Sequence, residues 1–251
     1  MQSQGIFITG TDTGVGKTVV SAALLSVLRS CGVDAVPMKP VQTGAKRAGG
    51  RWRSPDLDFC LAMNGLQPDH LEYSQMAPYC FARACSPHLA AMLTSRRIER
   101  RRVMSAFKAL ASRHAVVVAE GAGGAGVPLD RRHTMLDLMT WLGLPVVLVA
   151  RPGLGTLNHT WLTLQALRLA RIRVLGVVFN ATVPGRPGYI ERNNIQTIAR
   201  WGTVRVLGQL PFVPAVAGTP AVATRSAAQL HRAAAACLPP AADWLKWLQS
   251  P

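Results

Sequence analysis

Two kinds of hydrophobic pattern alternate along this chain. The first is a short, continuous apolar run rich in β-branched residues, and "GIFITG" at residues 5–10 is the earliest example. Such a run predicts a buried strand. The second is a segment from Lys17 to Cys31 in which apolar residues recur at helical spacing on one face, and it stops at Gly32. It predicts an amphipathic helix with a glycine just beyond its end.

The same two patterns return in the later segments. Strands are predicted within "VDAVPMKP", "HAVVVAEGAGG", "LPVVLVA", "VLGVVFN" and "VRVLGQLPF". Helices are predicted from about Asp56, from Pro87 with Ser86 as its cap, and after "RPGLGTLNHT" through about Arg171. Residues 43–55 are rich in Gly and Arg and are predicted to form a loop.

Apolar strands that alternate with helices indicate a mostly parallel sheet with helices on both faces. We therefore predict an α/β protein with one doubly wound domain over residues 1–251, with closing helices in the Ala- and Pro-rich tail from about Thr224. In such sheets ligands bind at the carboxyl ends of the strands. Six motifs follow those ends here: "GTDTGVGKT", "KPVQTG", "EGAGG", "PGLGTLNHT", "FNAT" and "PFVP".

The first of these motifs, "GTDTGVGKT", has the features of a phosphate-binding loop. Gly14 and Gly16 let the backbone curl so that successive N–H groups point at phosphate oxygens, and the helix that begins near Lys17 adds its positive end. Lys17 can reach the β- and γ-phosphates, and Thr18 has the hydroxyl that such loops give to Mg²⁺. The spacing is unusual, because Thr11 stands where the first glycine is expected. The motif predicts a nucleotide site in a P-loop NTPase-like domain.

The predicted sheet places charged residues beside this loop. Glu120 ends an apolar strand, where a carboxylate is costly unless it meets a cation. Asp56 and Asp58 follow the loop after the second strand, and either could bind a metal ion or simply favour a helix N-terminus. Lys39 closes the second strand, where it could neutralise a transferring phosphoryl group. On the residues alone, a lysine that only lies along apolar surface is the simpler alternative.

The charge balance is strongly basic. Lys and Arg number 28, Asp and Glu number 12, and the formal net charge is +16. This balance permits nucleic-acid binding. However, the basic residues are almost all arginines, and the densest run, "RRIERRR", lacks the interleaved aromatic residues that single-strand binding uses. We therefore expect small-molecule substrates and no nucleic-acid partner.

The cysteines and the N-terminus bear on the compartment. Five cysteines form no CxxC pair and are odd in number, so neither a disulfide framework nor a zinc site is expected. The start "MQSQGIFITG" lacks the basic region and long apolar core of a signal peptide. No apolar run approaches the ~18 residues that a membrane span needs. A soluble, cytoplasmic protein is expected.

Five motifs in chain order resemble those of the dethiobiotin synthetase family: "GTDTGVGKT", "KPVQTG", "SPH", "EGAGG" and "GTLNHT". The resemblance runs from about Ile6 to Val213, and the longer loop spacing is that family's own form. It implies an enzyme that uses ATP and Mg²⁺ to join CO₂ to 7,8-diaminopelargonic acid. The product would be the ureido ring of dethiobiotin, in the penultimate step of biotin synthesis.

The resemblance also implies roles for single residues. Lys17 and Lys39 would hold a carbamate and stabilise the migrating phosphoryl group, and Thr11 and Thr43 would contact the diamine or the carbamate. The Mg²⁺ ligands would be Thr18, Asp56 and Glu120, which favours Asp56 over Asp58. The other residues implied to bind the nucleotide are Gly14, Val15, Gly16, Gly121, Ala122, Gly123, Asn180, Pro211, Phe212 and Val213, of which the last four would surround the base.

The motif "GTLNHT" opens a predicted helix, and a helix N-terminus binds carboxylates. In the family this end belongs to the neighbouring subunit and holds the distal carboxylate of the diamine. The resemblance therefore implies a homodimer with shared sites, to which Gly155, Thr156, Leu157 and Asn158 would contribute.

Two other kinds of P-loop protein remain as alternatives. Partitioning ATPases use a second lysine early in the loop, where this chain has Thr11, Asp12 and Thr13. Cobyrinate-type ligases share the style of the loop, but no glutaminase domain is expected here. The chain departs from the family at Gly14, where some members have Glu, and in "VPAVAGTPAVATRSAAQ" after Phe212, which matches no family pattern.

Overall fold

The computed structural model describes residues 4–213 and 220–250. In chain order the elements are β1 (Gly5–Gly10), α1 (Lys17–Ser30), β2 (Ala35–Met38), β3 (Val41–Thr43), β4 (Lys46–Ala48), β5 (Arg51–Arg53), α2 (Pro55–Met63), α3 (His70–Met76), β6 (Tyr79–Phe81), α4 (Pro87–Leu93), α5 (Arg100–Ala111), β7 (Val116–Gly124), α6 (Met135–Leu142), β8 (Val146–Ala150), α7 (Thr156–Leu169), β9 (Val174–Asn180), α8 (Tyr189–Trp201), β10 (Val206–Leu210), α9 (Pro220–Cys237) and α10 (Ala241–Gln249).

Six parallel strands form the central sheet in the order β10-β9-β8-β1-β7-β2. The first strand, β1, lies between β7 and β8, and in this register Ile8 is opposite Glu120 on one side and Val147 on the other. The carboxyl ends of β1, β2 and β7 therefore meet at one edge of the sheet. The predicted fold class, a doubly wound parallel sheet, is confirmed.

Both faces of the sheet are covered, as the uninterrupted apolar strands predict. Phe7 belongs to a core that includes Phe107 of α5 and Leu138 of α6. Its neighbours Ile6 and Ile8 belong to a second core, formed with α1, α9 and α10. The alternation follows from the strand period of two, which sends successive side chains to opposite faces.

Residues 43–55 were predicted to form a loop, and that prediction is wrong for part of the segment. They contain an antiparallel hairpin in which β4 pairs with β5. Gly49 and Gly50 lie between the two strands with φ angles of +56° and +75°. A two-residue glycine turn of this kind favours a hairpin, but its strands of only three residues carry too little pattern to be seen among the arginines.

Several other elements were not predicted, among them the paired strands β3 and β6 and the helices α3, α6 and α8. Ser86 does precede α4, but its side chain makes no capping hydrogen bond. Within the described residues, no helix has the length and apolar character needed to cross a bilayer. The assignment of residues 1–251 to a single domain stays a prediction.

Candidate active site

The phosphate loop connects β1 to α1. Gly14 and Gly16 have φ angles of +76° and +94°, which side chains other than glycine rarely adopt. A Cβ atom on Gly16 would also collide with the side-chain amide of Asn180. That amide donates a hydrogen bond of 3.2 Å to the carbonyl of Val15, which is fully buried. The end of β9 therefore holds the loop in its curled form.

A cavity of about 620 Å³ opens in front of this loop. Ten of the predicted site residues line it: Gly14, Gly16, Lys17, Thr18, Lys39, Thr43, Asp56, Glu120, Ala122 and Gly123. Residues that were not predicted as site residues also line it: Thr13, Gln42, Ala84, Cys85, Ser86, Pro87 and Val127. Ser86 and Pro87 lie in the "SPH" motif and Thr13 lies in the loop itself, so the sequence contained a signal for these three.

Lys39 lies at the centre of the charged groups in the cavity. Its Nζ is 2.6 Å from Oδ2 of Asp56 and 2.7 Å from Oε1 of Glu120, and it donates a 3.0 Å hydrogen bond to the carbonyl of Gly121. Burial by itself lowers the pKa of Lys39, but the charges of Glu120 and Asp56 outweigh it, so the pKa is raised. The side chain is a buried ammonium group, which excludes the alternative of a lysine lying along apolar surface.

Lys17 is buried in a different electrostatic environment. Its Nζ donates a 2.9 Å hydrogen bond to the carbonyl of Asp12, and no carboxylate in the described residues lies within ion-pair distance of it. Burial is the main cause that lowers the pKa of Lys17, and repulsion from Lys39 is the second, so that the pKa is about 8. An anion placed between the two lysines would therefore be attracted by both, and it would favour the charged form of Lys17.

The predicted metal-binding oxygens lie on the same side of the cavity. The Thr18 hydroxyl donates a 2.9 Å hydrogen bond to Oε1 of Glu120, the same oxygen that Lys39 approaches. Asp56 reaches this group from the N-terminal turn of α2. One hydroxyl and two carboxylates therefore converge from β7 and from the first turns of two helices.

Asp58 faces away from these groups, although it lies in the same turn as Asp56. Residues two apart on a helix do not share a face. Asp58 accepts hydrogen bonds of 2.6 and 3.3 Å from Arg53 and one of 2.9 Å from the hydroxyl of Tyr73. Its charge is thus compensated outside the cavity, and Asp56 is the carboxylate of α2 that the cavity contains.

Some predicted residues do not line this cavity. Thr11 is half-buried at the end of β1, where its backbone N–H donates to the carbonyl of Val149. Pro211 is exposed, Phe212 is half-buried, and Val213 packs in the core beside α1 and α9. Residues 214–219 of the segment after Phe212 lie outside the described residues.

The N-terminus of α7 lies at a separate surface. Gly155 precedes it with a φ of +86°, and Thr156 is buried and hydrogen-bonded to Thr160. Leu157 and Asn158 line a cleft of about 450 Å³ between α7 and α8. The four residues from Gly155 to Asn158 are therefore not part of the phosphate-loop cavity of their own chain.

Comparison with known proteins identifies the family. The model of an AAA domain family matches residues 4–219. The ATP-dependent dethiobiotin synthetase of Anaeromyxobacter sp. (strain K) is 44% identical over 216 residues, which cover 85% of this chain and 92% of that protein. The chain belongs to the dethiobiotin synthetase family. The family predicted from the five motifs is therefore confirmed.

Two more distant proteins are also similar to this chain. A dethiobiotin synthetase of Bacillus licheniformis is 38% identical over 208 residues, covering 83% of this chain and 86% of its own. The septum site-determining protein MinD of Pyrococcus horikoshii, solved with Mg-ADP, superimposes with a TM-score of 0.56 at 15% identity, covering 98% of both chains. At that identity the likeness to MinD shows the P-loop fold alone, whereas the dethiobiotin synthetases share the sequence as well.

Proposed function

We infer that this chain is an ATP-dependent dethiobiotin synthetase, which joins CO₂ to 7,8-diaminopelargonic acid and closes the ureido ring of dethiobiotin. The observation that carries this conclusion is the pair of buried lysines, Lys17 and Lys39, that face a phosphate loop together with Asp56 and Glu120. The names of the relatives at 37–44% identity support the same reaction.

We propose that the reaction runs in three steps. One amine of the substrate adds to CO₂ and loses a proton to give a carbamate. A carbamate oxygen then attacks the γ-phosphate of ATP, releasing ADP and forming a carbamic–phosphoric anhydride. The second amine attacks the carbonyl carbon and expels phosphate, which closes the ring. Positioning and charge neutralisation contribute most of the rate acceleration in phosphoryl transfer of this kind.

The two lysines would carry that neutralisation. In the proposed mechanism the carbamate and the γ-phosphate lie between Lys39 and Lys17, whose charges offset those of the two reacting anions. Lys39 is held in place by Asp56, Glu120 and the Gly121 carbonyl before any substrate binds. Thr43 lines the same cavity and would contact the acceptor. Thr11 is a further candidate for that contact.

The oxygen groups beside the lysines fit Mg²⁺. Hydroxyl and carboxylate oxygens are the hard ligands that Mg²⁺ prefers, and the Thr18 hydroxyl lies 2.9 Å from a Glu120 oxygen. We propose that Thr18, Asp56 and Glu120 hold the ion, which when bound would neutralise and orient the phosphate oxygens of ATP. No cluster of three or more His, Cys, Asp or Glu side chains suited to a metal occurs in residues 4–213 or 220–250, so phosphate oxygens would complete the coordination.

The remaining nucleotide contacts are proposed from the loop and from β9. The backbone from Gly14 to Gly16 would bind the phosphates, and the loop from Gly121 to Gly123 would lie beside them. Asn180 uses its amide nitrogen to hold Val15, and its Oδ1 is buried without a hydrogen-bond partner in the described residues. We therefore propose that Asn180 reads the base through that oxygen, with Pro211 to Val213 beside it.

We also propose a homodimer in which α7 of one subunit completes the site of the other. The separation of Leu157 and Asn158 from the cavity of their own chain supports this, as do large exposed apolar side chains around α7: Leu154, Trp161 and Leu162. Exposed apolar patches of this kind mark interaction surfaces. Measurement of the molar mass in solution tests the proposal, and a monomer at the concentration of the activity assay would contradict it.

A direct assay tests the reaction. Purified protein is incubated with diaminopelargonic acid, bicarbonate, Mg²⁺ and ATP, and dethiobiotin and ADP are measured together. One ADP for each dethiobiotin is expected. The absence of dethiobiotin with any of the common nucleoside triphosphates would refute the proposed function. We further propose that the enzyme works in the cytoplasm on small molecules, as one domain and without nucleic acid.

A further inference from the structure

The N-terminal turn of α2 is held by buried hydrogen bonds on either side of Asp56. Ser54, the capping residue, is fully buried, and its hydroxyl oxygen accepts a 3.1 Å hydrogen bond from the N–H of Leu57. The same hydroxyl donates to the side-chain oxygen of Gln42, a residue of β3 that lines the cavity. The position of this turn therefore decides where the Asp56 carboxylate points.

Tyr73 of α3 binds this turn at two points. Its hydroxyl accepts a 2.8 Å hydrogen bond from the backbone N–H of Ser54 and donates one of 2.9 Å to Oδ1 of Asp58. Arg53 lies over the tyrosine ring, with its guanidinium carbon 3.8 Å from the ring centroid, and it also binds Asp58. One side chain thus fixes the residues two before and two after Asp56.

We propose that Tyr73 is a positioning residue for Asp56: by holding Ser54 and Asp58 it turns the Asp56 carboxylate toward Lys39 and Glu120, where Mg²⁺ would bind. Among the described residues the only polar partner of the Asp56 side chain is Lys39, at 2.6 Å. The carboxylate therefore depends on the helix turn for its direction. This inference rests on the proposed function only through the assignment of Asp56 as a metal ligand.

Removal of the Tyr73 hydroxyl has a definite local consequence. In Tyr73→Phe the buried N–H of Ser54 loses its acceptor and Asp58 loses a donor, while the ring and its packing remain. Of the side-chain contacts to Ser54 and Asp58 in the described residues, those of the Ser54 hydroxyl and of Arg53 remain. Metal binding is sensitive to the groups that orient the metal's ligands, so the loss is expected in the use of Mg²⁺ and not in the phosphate contacts.

Tyr79 offers a matched control. Its hydroxyl accepts a 2.9 Å hydrogen bond from the backbone N–H of Glu99, which is the capping residue of α5. Tyr79 is buried to a similar degree as Tyr73. The difference is that α5 contributes no residue to the phosphate-loop cavity. Tyr79→Phe therefore removes the same chemical group from the start of a helix that holds none of the proposed metal ligands.

The test measures ADP binding by calorimetry over a series of Mg²⁺ concentrations, with thermal unfolding of each variant. We expect Tyr73→Phe to raise the half-saturating Mg²⁺ concentration about tenfold, with ADP binding in EDTA unchanged. Asp58→Asn, which keeps the Ser54 contact of Tyr73, should give a smaller rise in the same direction. Tyr79→Phe should leave the Mg²⁺ dependence at the wild-type value, whatever its effect on the unfolding midpoint.

Two results would overturn the proposal. One is a wild-type Mg²⁺ dependence in Tyr73→Phe, and the other is an equal shift in Tyr79→Phe, which would make the effect a general loss of stability. An Asp56→Asn variant with unchanged Mg²⁺ dependence would remove Asp56 from the metal site and refute the proposal as well. Failure of the wild-type protein to form dethiobiotin would refute the proposed function alone, because the calorimetric comparison needs no turnover.

Discussion

The helices α1 and α7 begin in nearly the same way, and yet their N-termini have different surroundings. The helix α1 follows β1 and α7 follows β8, two strands that are adjacent in the sheet. Each helix is preceded by a glycine in the left-handed region, Gly16 with φ +94° and Gly155 with φ +86°. The first N-terminus opens into a cavity lined by Lys17, Lys39 and carboxylates. The second lies by a cleft bordered by Trp161 and Trp201, both exposed.

The difference shows what a helix N-terminus needs in order to become a site. Both provide free backbone N–H groups and a partial positive charge. At α1 the same chain adds charged side chains from the residue after β2, from α2 and from β7, so the phosphate-loop cavity itself is lined by one chain. At α7 the described part of the chain adds mostly apolar side chains, such as Leu157, Trp161 and Trp201, and no charged residue lines the cleft. This agrees with the proposal that a second subunit brings the substrate to it.

The largest expected effect comes from removing the charge of Lys39, at the centre of the charged groups near the N-terminus of α1. Lys39→Ala should lower the turnover number for dethiobiotin by about 10³-fold, because in the proposed mechanism this lysine provides a preorganised charge at the reacting phosphoryl group. ADP binding, measured by calorimetry, should change much less. Lys108→Ala, on the exposed side of α5, is the control and should match the wild type. Wild-type turnover in Lys39→Ala would remove this lysine from the mechanism.

The two glycines can be compared directly. Gly16→Ala should weaken ADP binding about 100-fold, because a Cβ atom would collide with Asn180 and the left-handed conformation adds about 1–2 kcal/mol of strain. At Gly155 the nearest atom to an added Cβ is 3.7 Å away, on His159. Gly155→Ala should therefore leave ADP binding unchanged and raise the KM for the diamine. Equal loss of ADP binding in both variants would contradict the proposal that the nucleotide binds at the N-terminus of α1 and not at that of α7.

Mixing two inactive variants would test whether the phosphate-loop cavity of one subunit and the N-terminus of α7 of the other form one site. Asn158→Asp places a negative charge where the diamine carboxylate is proposed to bind, and a carboxylate near a helix N-terminus does not harm folding. Co-refolded with Lys39→Ala, it should recover about a quarter of wild-type turnover, since only mixed dimers contain one intact site. No recovery would place both residues in one subunit's site. Asn193→Asp, exposed on α8, is the charge control.

The smallest expected effect is a difference between two threonines of the phosphate loop, Thr11 and Thr13. Thr13 lines the cavity and Thr11 does not. Thr13→Val should lower kcat/KM for the diamine by up to about tenfold, the value of a lost hydrogen bond, and Thr11→Val should have a smaller effect. Steady-state kinetics with each substrate varied would measure both. The reverse order would restore Thr11 as the acceptor contact that the loop spacing suggests.

Local pattern predicted most of what positions the site. The strand order could not be read from the sequence, but the carboxyl ends of parallel strands meet at one edge in any order, so "GTDTGVGKT", "KPVQTG" and "EGAGG" could be expected to lie together. That rule depends only on hydrophobic period and loop chemistry. The rule therefore predicts that Lys17, Lys39 and Glu120 lie close together, and in the structure they line one cavity.

The rest depended on contacts that no local pattern contains. Asp56 and Asp58 are both acidic residues of one helix turn, and the choice between them is made by Arg53 and Tyr73, which belong to other elements. The hairpin that carries Arg53 was hidden because strands of three residues have no readable alternation. Thr13 was not predicted, because the glycine missing from the usual loop pattern is replaced by Thr11 and not by Thr13.

The contact between Asn180 and the phosphate loop has a consequence for the entropy of binding. Residue 180 and residue 15 are far apart in the chain, and the hydrogen bond between them holds the loop curled before a nucleotide arrives. A flexible glycine-rich segment would lose conformational freedom each time ATP bound. Here that loss is largely incurred once, when the protein folds, so more of the attraction between loop and phosphate appears as affinity.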